Sequence, residues 1–335
     1  MTIKLGYKAS AEQFGPGDIV KFGCLADELG FDSVFISDHF QPWRHTGGHA
    51  PSSLVTLGAL AARTSRVILG TSVLTPTFRY HPSIVAQAFA TLGCLAPGRV
   101  VLGIGTGESL NEIPASGAVW PEFKERFGRL KEAIELMRLL WTGERVSYAG
   151  QFYKTENATL YDRPEQPIPI FVAAHGAVMA KFVGRNADGF ICTSGKPSTF
   201  YNDTLLPNLA QGLSAAGRSS NAIARMIEMK VSFDPDKTRA REDTRFWAAL
   251  ALSQDEKISV EDPLEMEKLA DVLPIERIAS RWIVSSDPQG QIEHIRQYVA
   301  MGFDHLVFHA PGDDQERFLG LYAAEVLPLL RAQFA

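Results

Sequence analysis

A short apolar strand, a loop and an amphipathic helix follow one another along most of the chain, and this repeat limits the fold more than any other feature. The apolar residues between the strands recur at helical spacing, as in 16–29, 83–95 and 123–141. The predicted strands are 4–9, 31–37, 67–74, 99–105, 168–173, 189–193, 225–233 and 304–309. Eight strand–helix units in series predict an α/β fold, a (β/α)8 TIM barrel.

The rival architecture is a doubly wound open sheet that binds a dinucleotide. Its Gly-x-Gly-x-x-Gly fingerprint should follow the first strand, but that strand ends in Lys-Ala-Ser. The spaced glycines Gly103, Gly105 and Gly107 follow the fourth strand instead and lack the required spacing. The barrel is therefore the preferred fold.

Two segments interrupt the repeat. A barrel of this type needs about 250 residues, and the chain has 335. Residues 143–167 are predicted to form a hairpin insertion around Ala149-Gly150, and 235–282 a mostly helical insertion. No composition shift separates two domains, so residues 1–335 are predicted to form one domain.

Composition excludes several classes of function. With 45% apolar and 21% charged residues, the chain has ample material for a core. A net charge of -5 gives no reason to expect nucleic acid or an anionic membrane as a partner, and no apolar run could span a bilayer. Cys24, Cys94 and Cys192 lie in apolar segments, which predicts small buried residues in a reducing, cytoplasmic location.

Polar side chains collect where the strands end. Active sites of such barrels form at the C-terminal ends of the strands, and these ends carry more titratable groups than a structural rim needs. They are Asp38, His39, Trp43, Ser72, Thr75, Thr106, Glu108, Asn111, His175, Thr193, Ser194, Gly195, Lys196 and His309. The pattern predicts a catalytic site, although Glu108 could simply favour a helix N-terminus and Lys196 could be a solvated surface residue.

Metal and nucleophile chemistry find little support. His39, His45 and His49 lie close in sequence, but there is no His-Glu-x-x-His and no cysteine pair. Gly-x-Ser-x-Gly is also absent. We expect no metal ion in the site.

Four segments resemble the F420-dependent glucose-6-phosphate dehydrogenases, a family of bacterial-luciferase-like barrels. They are 37–45 (SDHFQPWRH), 70–77 (GTSVLTPT), 105–112 (GTGESLNE) and 189–196 (GFICTSGK). The resemblance extends from Lys4 to Leu330. It implies coenzyme F420, glucose 6-phosphate as substrate, hydride transfer from sugar C1 to deazaflavin C5 giving 6-phosphogluconolactone, and a homodimer.

The resemblance also implies roles for single residues. His39 would act at the C1 hydroxyl, Trp43 would stabilise the developing oxyanion, and Glu108 would act toward N1 of the deazaflavin; which of His39 and Glu108 moves which proton stays open. The substrate pocket would contain Thr193 and a phosphate clamp of Lys196, Lys257 and Arg281. The coenzyme would contact Asp38, Ser72, Val73, Thr75, Thr106, Gly107, Asn111, His175 and Gly176, with a cis peptide between Ser72 and Val73.

Two departures from the family pattern lie in this site. His175-Gly176 stands where the family has Gly-Gly, and Ile258 follows Lys257 where the nearest relatives have histidine, beside the sugar. The alternatives are another F420-dependent sugar-6-phosphate or alcohol dehydrogenase, an FMN-dependent luciferase-like monooxygenase, and a binding protein without catalysis. Three cations around a phosphate are not needed by a monooxygenase, and intact His39 and Glu108 oppose a non-catalytic role.

Overall fold

Eight parallel strands close into a barrel in the computed structural model, which describes residues 3–257 and 260–334. Neighbouring strands pair in chain order, and the last pairs with the first, so the predicted TIM barrel is confirmed. The barrel strands are β1 (Lys4–Ala9), β2 (Ser33–Ile36), β3 (Ile68–Thr71), β4 (Val100–Ile104), β7 (Ile170–Ala173), β8 (Gly189–Thr193), β9 (Ala224–Phe233) and β11 (His305–His309). The short strand β10 (Ile283–Ser285) pairs with the far end of β9.

The helices pack on the outside of the barrel. Apolar residues at helical spacing face the strands, as Leu130, Ile134 and Met137 do in the long helix of residues 123–142. The helices are α1 (Pro16–Glu28), α2 (Ser53–Arg63), α3 (Pro82–Leu95), α4 (Ser109–Ser116), α5 (Phe123–Thr142), α6 (Ala177–Asn186), α7 (Leu206–Ala215), α8 (Lys237–Glu242), α9 (Gln254–Lys257), α10 (Pro263–Asp271), α11 (Ile275–Ala279), α12 (Pro288–Ala300), α13 (Gln315–Leu321) and α14 (Leu327–Phe334).

The inside of the barrel is layered, because alternate residues of each strand point inward. A buried apolar layer fills the middle and consists of Phe35, Val101, Phe171, Ile191, Met226 and Val307. Two residues further along their strands, Lys8, Glu228 and His309 form a charged layer that is also buried. The apolar layer thus closes the inside of the barrel, and the charged layer forms the floor of the space at the C-terminal ends of the strands.

Both insertions have the predicted character. Strands β5 (Val146–Ala149) and β6 (Lys154–Ala158) form an antiparallel hairpin. The second insertion contains α8 to α11 and a 3-10 segment, Asp243–Ala251, and it has a small apolar core of its own. Arg44, in the loop after β2, pairs with Glu267 and Asp271 of α10. This contact holds the helical insertion against the mouth of the barrel.

Several local expectations were wrong or incomplete. Cys192 is buried, but Cys24 is only half-buried and Cys94 is exposed, because Cys192 lies on a barrel strand whereas Cys24 and Cys94 lie on the outer helices α1 and α3. The closing helix is not continuous, since a π-helical turn, Tyr322–Val326, separates α13 from α14. This turn precedes Pro328, which has no backbone N–H to donate. Among the described residues no helix is long and apolar enough to cross a membrane.

Candidate active site

A cavity of about 860 Å³ opens at the C-terminal ends of the strands, large enough for a flat ring system together with a small substrate. All the predicted site residues except Gly176, Ser194 and Gly195 line it. Gly176 is the residue before α6 and lies beside the cavity rather than on its wall. Ile258 lies outside the described residues. Within residues 3–257 and 260–334 there is no group of three or more His, Cys, Asp or Glu arranged to hold a metal ion.

His39 is held from both ring nitrogens. Its Nε2 lies 3.3 Å from Oε1 of Glu12, and its Nδ1 lies 3.1 Å from both the amide nitrogen of Asn111 and the carbonyl oxygen of Gln41. Burial raises the pKa of Glu12, but the charges of His39 and Lys8 and a short hydrogen bond from Ser37 together lower it below its ordinary value. Glu12 is therefore ionised, and its negative charge can stabilise a positive charge on His39.

Trp43 joins the imidazole to the helical insertion. Its ring centroid lies 5.8 Å from that of His39, and Nζ of Lys257 lies 5.1 Å from the centre of the indole ring. The indole also packs against the apolar core of the insertion, which includes Met266. A position predicted from the second strand and one predicted from the insertion are thus neighbours.

Asp38 serves a different purpose from the residues next to it. Its carboxylate is buried and accepts hydrogen bonds from Ser53 (2.6 Å), Tyr80 (3.2 Å) and Arg79 (2.8 Å). Arg79 also pairs with Glu112 at 3.1 Å. With its oxygens engaged in this way, Asp38 anchors the loop that carries His39, and only its remaining surface faces the cavity.

The floor is a network of buried charges. Lys8 donates hydrogen bonds to Oε2 of Glu228 (2.8 Å) and to the carbonyl oxygen of Ser72 (2.6 Å), the residue that begins the cis peptide Ser72–Val73. Oε1 of Glu228 lies 3.4 Å from Nδ1 of His309. Burial raises the pKa of Glu228, but Lys8, His309 and Lys230 together lower it well below its ordinary value. Glu228 is therefore ionised at neutral pH.

Four cations line the other side of the cavity: Lys196, Lys230, Lys257 and Arg281. Burial, and then the charge of Arg281, lower the pKa of Lys196. The pKa of Lys257 is lowered by burial, against the effect of Glu108, and further by Lys196 and Arg281. Lys196, Lys257 and Arg281 line the same cavity, where a ligand with negative charge would offset the repulsion among them. The three predicted clamp residues are thus brought together.

One wall suits a flat ring with polar edges. Val73, Ala173 and Ile191 form an apolar surface beside the polar groups of Thr75, Thr106 and Asn111. A side chain at Gly105 would place its Cβ 3.0 Å from Val73, and Gly107 has a φ of 86°, which favours glycine. Because Gly105 and Gly107 have no side chains, there is room for a flat ring over Val73. These residues fit the deazaflavin that the resemblance implies.

Sequence reasoning missed seven charged residues that line the cavity: Lys8, Glu12, Glu112, Glu122, Arg126, Glu228 and Lys230. Glu228 and Lys230 lie in the predicted strand 225–233, from which no site residue was predicted, and Lys8 lies in the first strand. The available signal was spacing: Met226, Glu228 and Lys230 lie two residues apart, which places all three on the inner face of β9. Charges at inward positions near the end of a barrel strand indicate a site, not a core.

Comparison with known proteins agrees with this geometry. Residues 2–305 match the family model described as luciferase-like monooxygenase. The chain is 63% identical over 330 residues to an F420-dependent glucose-6-phosphate dehydrogenase of Nakamurella multipartita, covering 98% of this chain and 97% of the relative. It is 61% identical to the protein of the same name from Beutenbergia cavernae, covering 99% and 98%. A solved F420-dependent secondary alcohol dehydrogenase, in complex with an F420–acetone adduct, superposes with a TM-score of 0.91 at 31% identity, covering 98% of this chain and 99% of that one.

His175 offers a direct test of the electrostatics. Its side chain lines the cavity and keeps much of its surface exposed there, while the partial loss of water to the surrounding protein, and then Lys230 and Lys196, lower its pKa to about 4. We expect the imidazole to stay neutral from pH 5 to 8 and to gain its proton only near pH 4, as followed by NMR titration of the histidine rings. Lys230→Met should raise this pKa, because it removes a charge that opposes the imidazolium.

The exposed Lys237 provides the control, since Lys237→Met should leave the titration of His175 unchanged. A midpoint near 6.5, the ordinary value for histidine, would show that neither burial nor the lysines act on this ring.

Proposed function

Because the chain belongs to the luciferase-like monooxygenase family, we propose from that premise that it is an F420-dependent glucose-6-phosphate dehydrogenase. It oxidises D-glucose 6-phosphate to 6-phosphogluconolactone and reduces coenzyme F420. The observation that carries the proposal is one cavity that holds a carboxylate-paired imidazole on one side and a cluster of cations on the other. The two curated relatives that bear this name support it along the whole chain.

The coenzyme is proposed to lie against the wall around Val73. When bound, F420 supplies an acceptor for the hydride that leaves C1 of the sugar. The residues proposed to hold it are Asp38, Ser72, Val73, Thr75, Thr106, Gly107, Asn111, His175 and Gly176. Thr75, Thr106 and Asn111 offer hydrogen-bonding groups along this wall, and Asn111 also orients the ring of His39.

His39 is proposed to accept the proton of the C1 hydroxyl at Nδ1, where the hydroxyl would replace the hydrogen bond from the Asn111 amide. Its Nε2 faces Glu12, whose negative charge stabilises the imidazolium that forms. The indole N–H of Trp43 would donate to the oxygen as negative charge develops there. Glu108, exposed at the cavity mouth, is proposed to move a proton toward N1 of the coenzyme. The opposite division of the two protons between His39 and Glu108 stays open.

The phosphate is proposed to bind at Lys196, Lys257 and Arg281, with Thr193 beside the sugar. NH1 of Arg281 donates to the carbonyl oxygen of Gly195 at 3.0 Å, and its buried Nε has no hydrogen-bond partner among the described residues. A buried guanidinium N–H that lacks a hydrogen-bond acceptor favours the binding of a ligand that supplies an acceptor. Cations grouped on one side of the cavity favour a sugar phosphate over an uncharged alcohol.

We further propose that residues 1–335 form one cytoplasmic domain that assembles as a homodimer. Exposed apolar side chains on neighbouring outer helices support the dimer: Val55 of α2 is 74% exposed, and Ile84 and Leu95 of α3 are 52% and 55% exposed. A partner copy would remove this surface from water.

The coenzyme and substrate are tested together by following the loss of oxidised F420 by absorbance. Purified protein should reduce F420 with glucose 6-phosphate and give no turnover with NADP or FMN in its place. Unphosphorylated glucose and propan-2-ol should be very poor substrates, because neither carries an anion for the cation cluster. Turnover of propan-2-ol with none of glucose 6-phosphate, or NADP reduction without F420, would overturn the proposal.

His39→Ala and Glu108→Gln should each lower kcat about 10²- to 10⁴-fold, the range expected for loss of a general acid or base. Both variants should still bind F420 in a fluorescence titration, because neither side chain belongs to the proposed coenzyme wall. Glu156→Gln, in the exposed part of β6, is the control and should keep full kcat. If both site variants retained near-normal kcat, the proton transfers would have to be assigned to other groups.

The dimer is tested by light scattering on the full chain. The mass should be twice that of one chain, and Val55→Glu together with Ile84→Glu should reduce it to that of a monomer by burying charge in the interface. A monomeric wild-type protein at micromolar concentration would contradict the assembly.

A further inference from the structure

Lys230 stands above the charged floor at a position that the reaction described so far does not use. It is the third inward residue of β9 after Met226 and Glu228, and it pairs in register with His309 on β11. Met226 belongs to the apolar layer and Glu228 to the charged floor. Lys230 is 6% exposed and lines the cavity, so its amine is the innermost cation on this side.

The carboxylate nearest to Lys230 along the strand is already committed to other groups. Oε2 of Glu228 accepts from Lys8 at 2.8 Å and from the hydroxyl of Ser72 at 3.4 Å, and Oε1 faces His309. Among residues 3–257 and 260–334, Lys230 forms no ion pair within 4.0 Å. An ammonium group buried without a counter-charge is costly, which favours an anion supplied from outside.

The surroundings of Lys230 contain more positive than negative charge. The titratable groups that face it from every packed element are Glu228 (β9), Lys8 (β1), His309 (β11), Cys192 (β8), His175 (after β7), Lys196 (after β8) and Arg281 (end of the insertion). Lys8 and Glu228 compensate each other, which leaves Lys196, Lys230 and Arg281 to share whatever anion enters. The cationic cluster therefore extends from the mouth to the floor.

We propose that Lys230 binds the phosphate group of the substrate from the floor side and makes the site selective for a doubly charged anion. The proposal rests on the proposed function, since it names a fourth contact for the same substrate. Lys196, Lys257 and Arg281 line the same cavity as Lys230, and the charges of Lys196 and Arg281 act on both other lysines. A dianion offers a second negative charge to the four cations, so it gains more from the additional ones than a monoanion does. One or two cations would be enough to bind a monoanion.

The protonation of Lys230 follows from the same surroundings. Burial lowers its pKa to about 8, against the effect of Glu228 and with further lowering by Arg281, Lys196 and Lys8. Lysine is charged below its pKa, so the free protein loses this cation as the pH rises through 8. A bound anion favours the charged form, and binding above pH 8 should therefore be accompanied by proton uptake.

The first test compares Lys230→Met with wild type and with Lys237→Met, an exposed lysine outside the cavity. Lys230→Met should raise KM for glucose 6-phosphate about tenfold to a hundredfold, the effect of one charged hydrogen bond, with kcat changed much less. The KM of wild type should rise between pH 7 and 9, and that of Lys230→Met should rise less. Lys230→Arg should recover most of the affinity, and Lys237→Met should match wild type.

A second readout separates this proposal from the function on which it rests. Sulfate is a dianion at every pH used and needs no turnover, so its binding to the full chain is followed by calorimetry, with chloride at equal ionic strength as the blank. Wild type should bind sulfate at least tenfold more tightly than Lys230→Met, and at pH 8.5 wild type should take up more protons on binding than Lys230→Met does. If glucose 6-phosphate is not turned over while this difference holds, the proposed substrate is wrong and the anion site stands.

A purely structural role gives a different result. If Lys230 serves only to compensate Glu228, the variants should lose thermal stability but bind sulfate and glucose 6-phosphate as wild type does, and this overturns the proposal. Should Lys230→Met fail to fold, Lys230→Gln, which keeps a hydrogen-bond donor without the charge, decides between the two roles. Unchanged anion binding in a folded Gln variant rejects Lys230 as a phosphate contact.

Discussion

The buried ion pair between Lys8 and Glu228 is the interaction on which the site depends. It joins β1 to β9 at the level where the barrel changes from an apolar core to a polar cavity, and the same ammonium donates to the carbonyl oxygen of Ser72. One cation thereby ties three separate parts of the barrel beneath the reacting groups. Removing either charge would leave the other buried and unpaired, at a cost larger than the net value of the pair. The ion pair therefore helps to fix the position of the residues that line the cavity and to balance the charge at its floor.

Above that floor, the helical insertion brings together residues that the barrel alone would keep apart. His39 and Trp43 follow β2, whereas Lys257 comes from α9, and the two groups meet where the ammonium lies against the indole. Arg44 holds this contact closed through α10. Since Trp43 is proposed to act on the sugar C1 oxygen and Lys257 on its phosphate, a substrate that engages the insertion also stabilises the position of the catalytic indole. Binding energy from the remote phosphate can in this way favour the transition state.

The barrel and most of the site could be predicted because both depend on local patterns. The periodicities of strands and helices can be recognised within short segments of sequence. In a parallel barrel, the residues that follow the strands all lie at the same end. Where the insertion docks could not be predicted from residues alone, since helical periodicity in 235–282 does not say what its apolar face covers; only the family resemblance placed Lys257 and Arg281 in the pocket. Glu228 and Lys230 were missed because no inward-facing position of strand 225–233 was considered for the site, and Cys94 was misjudged because an apolar neighbourhood in sequence does not ensure contact in the fold.

Charge is divided within the cavity in a way that the composition conceals. The chain carries a net charge of -5, so its overall field repels a dianion, and attraction must come from groups that the walls shield from solvent. On one side Glu12 stabilises positive charge on His39; on the other, the charges of Lys196 and Arg281 lower the pKa of both Lys230 and Lys257. The proposed sugar phosphate would span both sides, with its oxidisable carbon at the first and its charge at the second. Its binding would then relieve the repulsion among the cations, which favours a dianion over a neutral alcohol.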